Sequence, residues 1–96
     1  MPDHKLYLPE HFDGSTASQV VAELLSHRGK PLALHAARVK SAGALGLQVL
    51  ISATKQWAHD DQPFTVVDGS DALIRAVEVL GMDPSDLGIA APQVPA

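Results

Sequence analysis

The chain contains no cysteine, and this absence limits the chemistry open to it. Without a thiol there is no disulfide framework, no thiolate nucleophile and no cysteine-ligated zinc site. Aromatic residues are also scarce, with one Trp, one Tyr and two Phe among 96 residues. The core must therefore be aliphatic, and a hydrophobic content of 46% is enough for one globular domain of this length.

Concentrated charge and long apolar runs are missing as well. The formal net charge is −4 and no stretch gathers Lys or Arg, so nucleic acid is not an expected partner. No apolar run approaches 18 residues, and the N-terminal MPDHKLYLPE lacks the hydrophobic segment of a signal peptide. The sequence therefore predicts a cytosolic protein that does not interact with a membrane.

Three short apolar segments predict the strands of a small sheet. They cover residues 5–8, 31–35 and 64–67. The first stops at Pro9, which cannot donate to a strand ladder, and the second is apolar on both faces, as a central strand is. Residues 11–14 separate the first strand from a helix and predict a turn.

Three segments with apolar residues at steps of three and four predict helices. They are expected to run from Ser15 or Thr16 into residues 26–29, over 45–57, and over 71–80 with Ser70 as N-cap. Their expected buried stripes include Val20, Val21, Leu24 and Leu25 in the first helix and Leu73, Ile74, Val77 and Leu80 in the third. Alternating strands and helices predict an α/β layer of three or four strands.

Two segments near the C-terminus complete the predicted organisation. A short turn or helical piece is expected over residues 82–87, around Pro84. The tail over 90–96 (AAPQVPA) is expected to be disordered. A single domain over 1–89 is therefore predicted.

The stretch from Pro31 to Trp57 has the strongest indications of a binding surface. A loop of small residues, with Gly43 and Gly46, precedes the main helix and lets another group approach its N-terminus. The apolar arc of that helix is wider than one sheet face needs. It consists of Leu45, Leu47, Val49, Leu50, Ile51, Ala53 and Trp57. We therefore expect part of it to contact a partner protein.

Catalytic and metal-binding patterns are weak. Five histidines are present, but no pair has the close spacing typical of metal ligands, so no metal or cofactor is expected. The chain has no GxSxG, P-loop or GxGxxG motif, and its Asp residues lie in predicted turns and helix starts. His35, at the end of the central strand, is either a hydrogen-bonded strand-end residue or the centre of a small ligand site. No enzymatic activity is predicted.

Ser41 is the one candidate for modification. It lies shortly before the main helix, where the helix dipole would stabilise an added phosphate. The alternative is an ordinary cap or loop serine.

Several short segments occur in an order and spacing that together are typical of one family. They are Leu8-Pro9, Phe12-Asp13, Ser15-Thr16-Ala17, the strand over 31–35, the run from Gly46 to Leu50, and the helix from Ser70 to Gly81. Together they resemble the STAS family, whose best-known members are the anti-sigma-factor antagonists. The resemblance implies a single layer of about four mixed strands packed against three to four helices.

The central family pattern is a strand ending in Asp and, about eight residues later, Asp-Ser-Ser-Gly-Leu or Asp-Thr-Ala-Gly-Leu. The ungapped match puts His35 at the first Asp and Gly43 at the second. Ala44 and Leu45 then occupy the two hydroxyl positions, where family members are phosphorylated to switch partner binding. A gapped match instead places Ser41 at the switch position.

The resemblance and the residue pattern predict a non-enzymatic protein-interaction module that lacks the phospho-switch hydroxyl. The run over 43–50 is similar to small STAS proteins of bacterial chemotaxis gene clusters, which implies a histidine kinase or response regulator as partner. The expected partner-binding residues are Ser41, Gly43, Ala44, Leu45, Gly46 and Gln48. The alternative is a phosphorylation-switched antagonist that uses Ser41 and binds an anti-sigma factor kinase. A homodimer through the apolar arc is also left open.

Overall fold

The computed structural model describes residues 4–89, in which strands and helices alternate as the sequence predicts. In chain order the elements are β1 (His4–Tyr7), β2 (His11–Phe12), α1 (Ala17–Ser26), β3 (Leu32–His35), β4 (Ser41–Ala42), α2 (Ala44–His59), β5 (Phe64–Val67), α3 (Asp71–Val79) and a 3₁₀ helix (Pro84–Leu87). The helical piece predicted around Pro84 is confirmed. The predicted disordered tail over 90–96 lies outside the described residues.

The sheet is parallel and ordered β1-β3-β5, with β3 in the centre. Each neighbouring pair is joined by a crossover containing α1 or α2, because parallel strands cannot be linked by a tight hairpin. Ile89 adds a one-residue parallel bridge to Val66, a rudimentary fourth strand position. The α/β fold is confirmed, but the expected mixed pairing is wrong for the described strands, since every strand pair is parallel.

A second, two-stranded parallel sheet forms from β2 and β4. His11 aligns with Ser41 and Phe12 with Ala42. The predicted turn over 11–14 is therefore partly wrong, because its first two residues are a strand. This small sheet joins the start of α1 to the start of α2.

The core is aliphatic, as expected. Its buried side chains come from residues between Leu8 and Ile89 and include Leu34, Leu47 and Leu73. Trp57 is buried too, and its indole Nε1 donates a hydrogen bond to the Lys30 carbonyl at 2.8 Å. The central helix α2 thereby reaches the loop before β3.

The helix stripes differ from the prediction at three positions. Val20 and Leu24 of α1 and Leu73 and Val77 of α3 are buried as expected, and Ile74 is half-buried. However, Val21 is 38% exposed, Leu25 60% and Leu80 45%. In α1 only Val20 and Leu24, one helical turn apart, are buried, so the neighbouring Val21 and Leu25 remain in solvent.

Candidate functional site

The start of α2 is positioned by the small sheet. Gly43 is the N-cap, with extended backbone (φ −108°, ψ 173°), and its N–H donates to the Phe12 carbonyl at 3.0 Å. As a glycine it has no side chain to cap the helix, and the first turn of α2 contains no acidic residue. The N–H groups at this helix end therefore lack a negatively charged side chain from their own helix.

The six residues expected to bind a partner are brought together, but they differ in accessibility. Ala44, Leu45, Gln48 and Ser41 are exposed, and Leu45 is 63% exposed. Gly43 is half-buried. Three of the exposed residues, Ala44, Leu45 and Gln48, lie within the first five residues of α2.

Gly46 is buried and cannot touch a partner directly. A Cβ at this position would overlap the carbonyl oxygen of Phe12 and lie 3.0 Å from Phe12 Cγ. Its role is to let α2 pack closely on β2.

Helices α1 and α2 run in the same direction and are joined at both ends. At the N-terminal end, a Cβ on Gly14 would lie 2.9 Å from Leu45 Cδ1, so the two helix starts are in contact. At the C-terminal end, Arg28 Nε donates to Asp60 Oδ2 at 3.0 Å. An open groove runs between the helices, with a volume of about 420 Å³.

We call this cleft the α1–α2 groove and define it by three sets of residues. Leu24, Ala53 and Trp57 are buried in its floor; Val21, Leu25 and Leu45 are exposed apolar residues; Gln48, Ser52 and Gln56 are uncharged polar residues. No charged side chain lines it within the described part of the chain. Such a surface favours an apolar, uncharged binding partner.

Carboxylates lie near both ends of the groove. The hydrogen bond from the Arg28 guanidinium, helped by its charge, holds the pKa of Asp60 below its usual range. At the other end, the Ser15 hydroxyl donates to Asp13 Oδ1 at 2.6 Å and is the main cause of the lowered pKa of Asp13. Both groups are therefore ionised at neutral pH.

Ser41 lies on β4, two residues before the N-cap, so it is not the cap of α2. Its Oγ is 2.8 Å from Nδ1 of His11, the residue aligned with it in the small sheet. Both side chains are exposed. The hydroxyl is thus held by an imidazole and accessible from solvent.

His35 makes contacts typical of a strand-end residue. Its ring centroid is 5.1 Å from that of Tyr7, and its Nδ1 is 3.6 Å from Asp68 Oδ2. The Arg38 guanidinium carbon lies 4.6 Å from the Tyr7 ring centroid. Within residues 4–89 no three His, Asp or Glu side chains are grouped as metal ligands would be.

The sequence analysis missed three participants. Val21 and Leu25 were assigned to the core, and His11 was assigned to a turn. A signal for the first two exists, because α1 has four large apolar residues within six positions, more than one packed neighbour can cover. His11 has no such signal, since its partner is 30 residues away.

The family comparison covers nearly the whole chain. A family model described as "Mlab, STAS domain" matches residues 2–89. No significant match to a curated protein or to a solved structure is found. Over residues 4–89, no helix is both long and apolar enough to cross a membrane.

Proposed function

Because the chain belongs to the STAS domain family, we propose that it is a non-catalytic protein-interaction module of a bacterial signalling system. STAS domains generally interact with other proteins and are generally non-enzymatic. In this proposal residues 1–89 act as one cytosolic domain without a cofactor. The partner is a histidine kinase, a response regulator or another component of a chemotaxis or two-component system.

The observation that carries this proposal is the exposed leucine at the start of α2. Leu45 is 63% exposed beside a helix N-terminus without a capping side chain, and it borders the uncharged α1–α2 groove. A large apolar side chain at the rim of an apolar groove is a typical feature of protein-binding surfaces. We propose that partner contact is centred here, with Ala44 and Gln48 beside it.

The ungapped family match supports a surface that is not switched by phosphate at the helix start. In the ungapped register Ala44 and Leu45 take the positions of the family's hydroxyl residues, and neither can accept a phosphoryl group. A surface of this kind binds its partner whenever both are present.

The test is affinity capture from the native cytosol with wild type and Leu45→Glu. The introduced carboxylate should weaken partner retention at least about tenfold, because it would lose its water of hydration when the partner covers position 45. Val79→Glu is the matched control, because Val79 is 78% exposed on α3, outside the groove. Equal retention by wild type and Leu45→Glu, with both folded, would show that this surface is not the binding site.

A second function, a phosphorylation-switched anti-sigma-factor antagonist, is favoured by one contact. The Ser41 hydroxyl is exposed and lies 2.8 Å from His11 Nδ1, which accepts its hydrogen bond in the tautomer that leaves Nδ1 unprotonated. Intact-mass analysis after incubation with the captured kinase should then show one added phosphate, absent from Ser41→Ala. If no phosphate is added, or if it is added at another residue, this alternative is wrong.

A further inference from the structure

Asp13 lies where the starts of α1 and α2 meet, close to the exposed Leu45. A Cβ on Gly43, the N-cap of α2, would be 3.5 Å from Asp13 Cβ. A Cβ on Gly14, the residue after Asp13, would be 2.9 Å from Leu45 Cδ1. The proposed partner surface therefore has a carboxylate directly beside its exposed leucine.

One oxygen of the Asp13 carboxylate is used inside the protein, and the other is not. Oδ1 accepts the Ser15 N–H at 2.9 Å and the Ser15 hydroxyl at 2.6 Å. Within residues 4–89, Oδ2 accepts no hydrogen bond, and the residue is only half-buried. The Ser15 bonds orient the group and keep it ionised at neutral pH. Oδ2 is therefore a charged acceptor that another molecule can reach.

Asp13 differs from the carboxylate at the other end of the α1–α2 groove in having no cationic partner. Asp60 is paired with Arg28 at 3.0 Å. No ion pair within the described part of the chain includes Asp13. A partner that covers Leu45 also removes water from this carboxylate, and that costs free energy unless the partner supplies a cation. Charge complementarity therefore requires a basic residue of the partner at this end of the surface.

An arginine is the cation that fits this position. Its hydrocarbon stem can cover an apolar neighbour while the guanidinium reaches the carboxylate, and here the apolar neighbour is Leu45, 63% exposed. The guanidinium is more weakly hydrated than the lysine ammonium, so it loses less on entering an interface. Arginine is accordingly enriched in protein interfaces, whereas lysine is depleted. Because Ser15 occupies Oδ1, the contact is made to Oδ2.

We propose that the partner of this surface places an arginine over the start of α2, with its guanidinium donating to Asp13 Oδ2 and its stem on Leu45. This inference rests on the proposed function, since it names the partner chemistry that the same surface takes. It makes binding depend on the charge of Asp13 as well as on the apolar area of Leu45.

Asp13→Asn tests the charge, because the amide oxygen can still accept the Ser15 bonds while the negative charge is removed. The probe is the partner protein purified by capture on the wild-type chain. At about 50 mM NaCl its affinity for Asp13→Asn should be about tenfold lower than for wild type, and at about 500 mM the difference should fall to about threefold or less, because salt screens the ion pair.

Glu78→Gln is the matched control, because it removes the same charge from an exposed position of α3. It should bind the partner as wild type does at both salt concentrations. Circular dichroism establishes that both variants are folded. An Asp13→Asn protein with wild-type affinity, or with a loss that salt does not reduce, would overturn the proposal.

The partner's side of the contact is tested with phenylglyoxal, which modifies arginine side chains and needs no variant of this chain. In the wild-type complex, one arginine of the partner should be protected from modification compared with the free partner. Peptide mass analysis identifies it. If no arginine of the partner is protected, the proposal is wrong.

The sign of a charge at position 45 separates this inference from the proposed function. A lysine there repels the arginine, whereas a glutamate does not, so Leu45→Lys should weaken binding at least about fivefold more than Leu45→Glu. If the two variants weaken binding equally, the binding surface stands and the arginine contact is wrong. If neither weakens binding, both proposals fail.

Discussion

Gly46, in the first turn of α2, has no side chain, and this allows the start of α2 to pack directly on β2. It is buried, and the atoms against it are the backbone and ring of Phe12. That backbone cannot move freely, because the Phe12 carbonyl also accepts the N–H of Gly43 at 3.0 Å. A larger residue at 46 must therefore push α2 away from β2.

We predict that Gly46→Ala destabilises the fold by about 1–3 kcal/mol, the usual cost of overpacking a closely packed contact. For a domain of this size each kcal/mol lowers the thermal midpoint by about 4–8 °C. Urea unfolding followed by the fluorescence of Trp57, the only tryptophan, measures the change.

Gly43→Ser is the matched control at the same helix end. Its Cβ would lie at an ordinary 3.5 Å from Asp13 Cβ, and its extended backbone allows the hydroxyl to cap the first turn. This variant should be at least as stable as wild type. A Gly46→Ala protein that unfolds at the wild-type urea concentration would contradict the proposed contact.

At the scale of elements, the Arg28–Asp60 pair joins the ends of α1 and α2. The Arg28 hydrogen bond lowers the pKa of Asp60 in the folded protein from an ordinary value of 3.8. The bridge therefore contributes stability at pH values above that ordinary pKa, and the contribution is lost as pH falls through the lower folded-state pKa.

We predict that Asp60→Asn is less stable than wild type near pH 7, and that the difference shrinks at pH 3 and below. The difference should be small, because the Arg28 side chain is 48% exposed to solvent, which screens the pair. Urea midpoints of both proteins at the two pH values measure it, and Arg28→Gln should follow the same trend. Asp13 and Asp83, whose pKa values are also lowered, are present in both proteins and cancel. A difference that is constant with pH would exclude the bridge as its cause.

The elements best predicted from the sequence are those with strong local signals. The strand β5 is found over the predicted residues 64–67, and Ser70 caps α3 as expected, accepting the Leu73 N–H at 3.1 Å. A β-branched run and a cap residue act through neighbours in the chain, so the sequence displays them directly.

The elements that were missed depend on distant contacts. The strands β2 and β4 have two residues each, too few for any periodicity, and they exist because Phe12 and Ala42 meet 30 positions apart. Periodicity also cannot tell a helix stripe that faces the core from one that faces a groove. For this reason Val21 and Leu25 were predicted to be buried.

At the scale of the whole molecule, one core holds all the elements together. It includes Leu24 of α1, Leu50 of α2 and Leu73 of α3, along with residues of the sheet. Neighbouring strands of the sheet are about 30 residues apart in sequence, so neither strand pair forms without its crossover helix. Unfolding should therefore be a single cooperative transition.

Leu73→Ala tests this cooperativity, because the substitution is in α3 while the fluorescent reporter, Trp57, is in α2. Leu73 is fully buried, so the cavity should cost about 2–5 kcal/mol, a large part of the roughly 5–14 kcal/mol available to a domain of this length. Because both residues belong to one core, far-UV circular dichroism and Trp57 fluorescence should shift together to the same lower urea midpoint. Val79→Ala, at an exposed position of the same helix, should change the free energy of unfolding by no more than about 0.5 kcal/mol. A fluorescence midpoint that stays at the wild-type value while the dichroism shifts would mean that α3 unfolds separately, and that the α1–α2 groove is supported by the sheet alone.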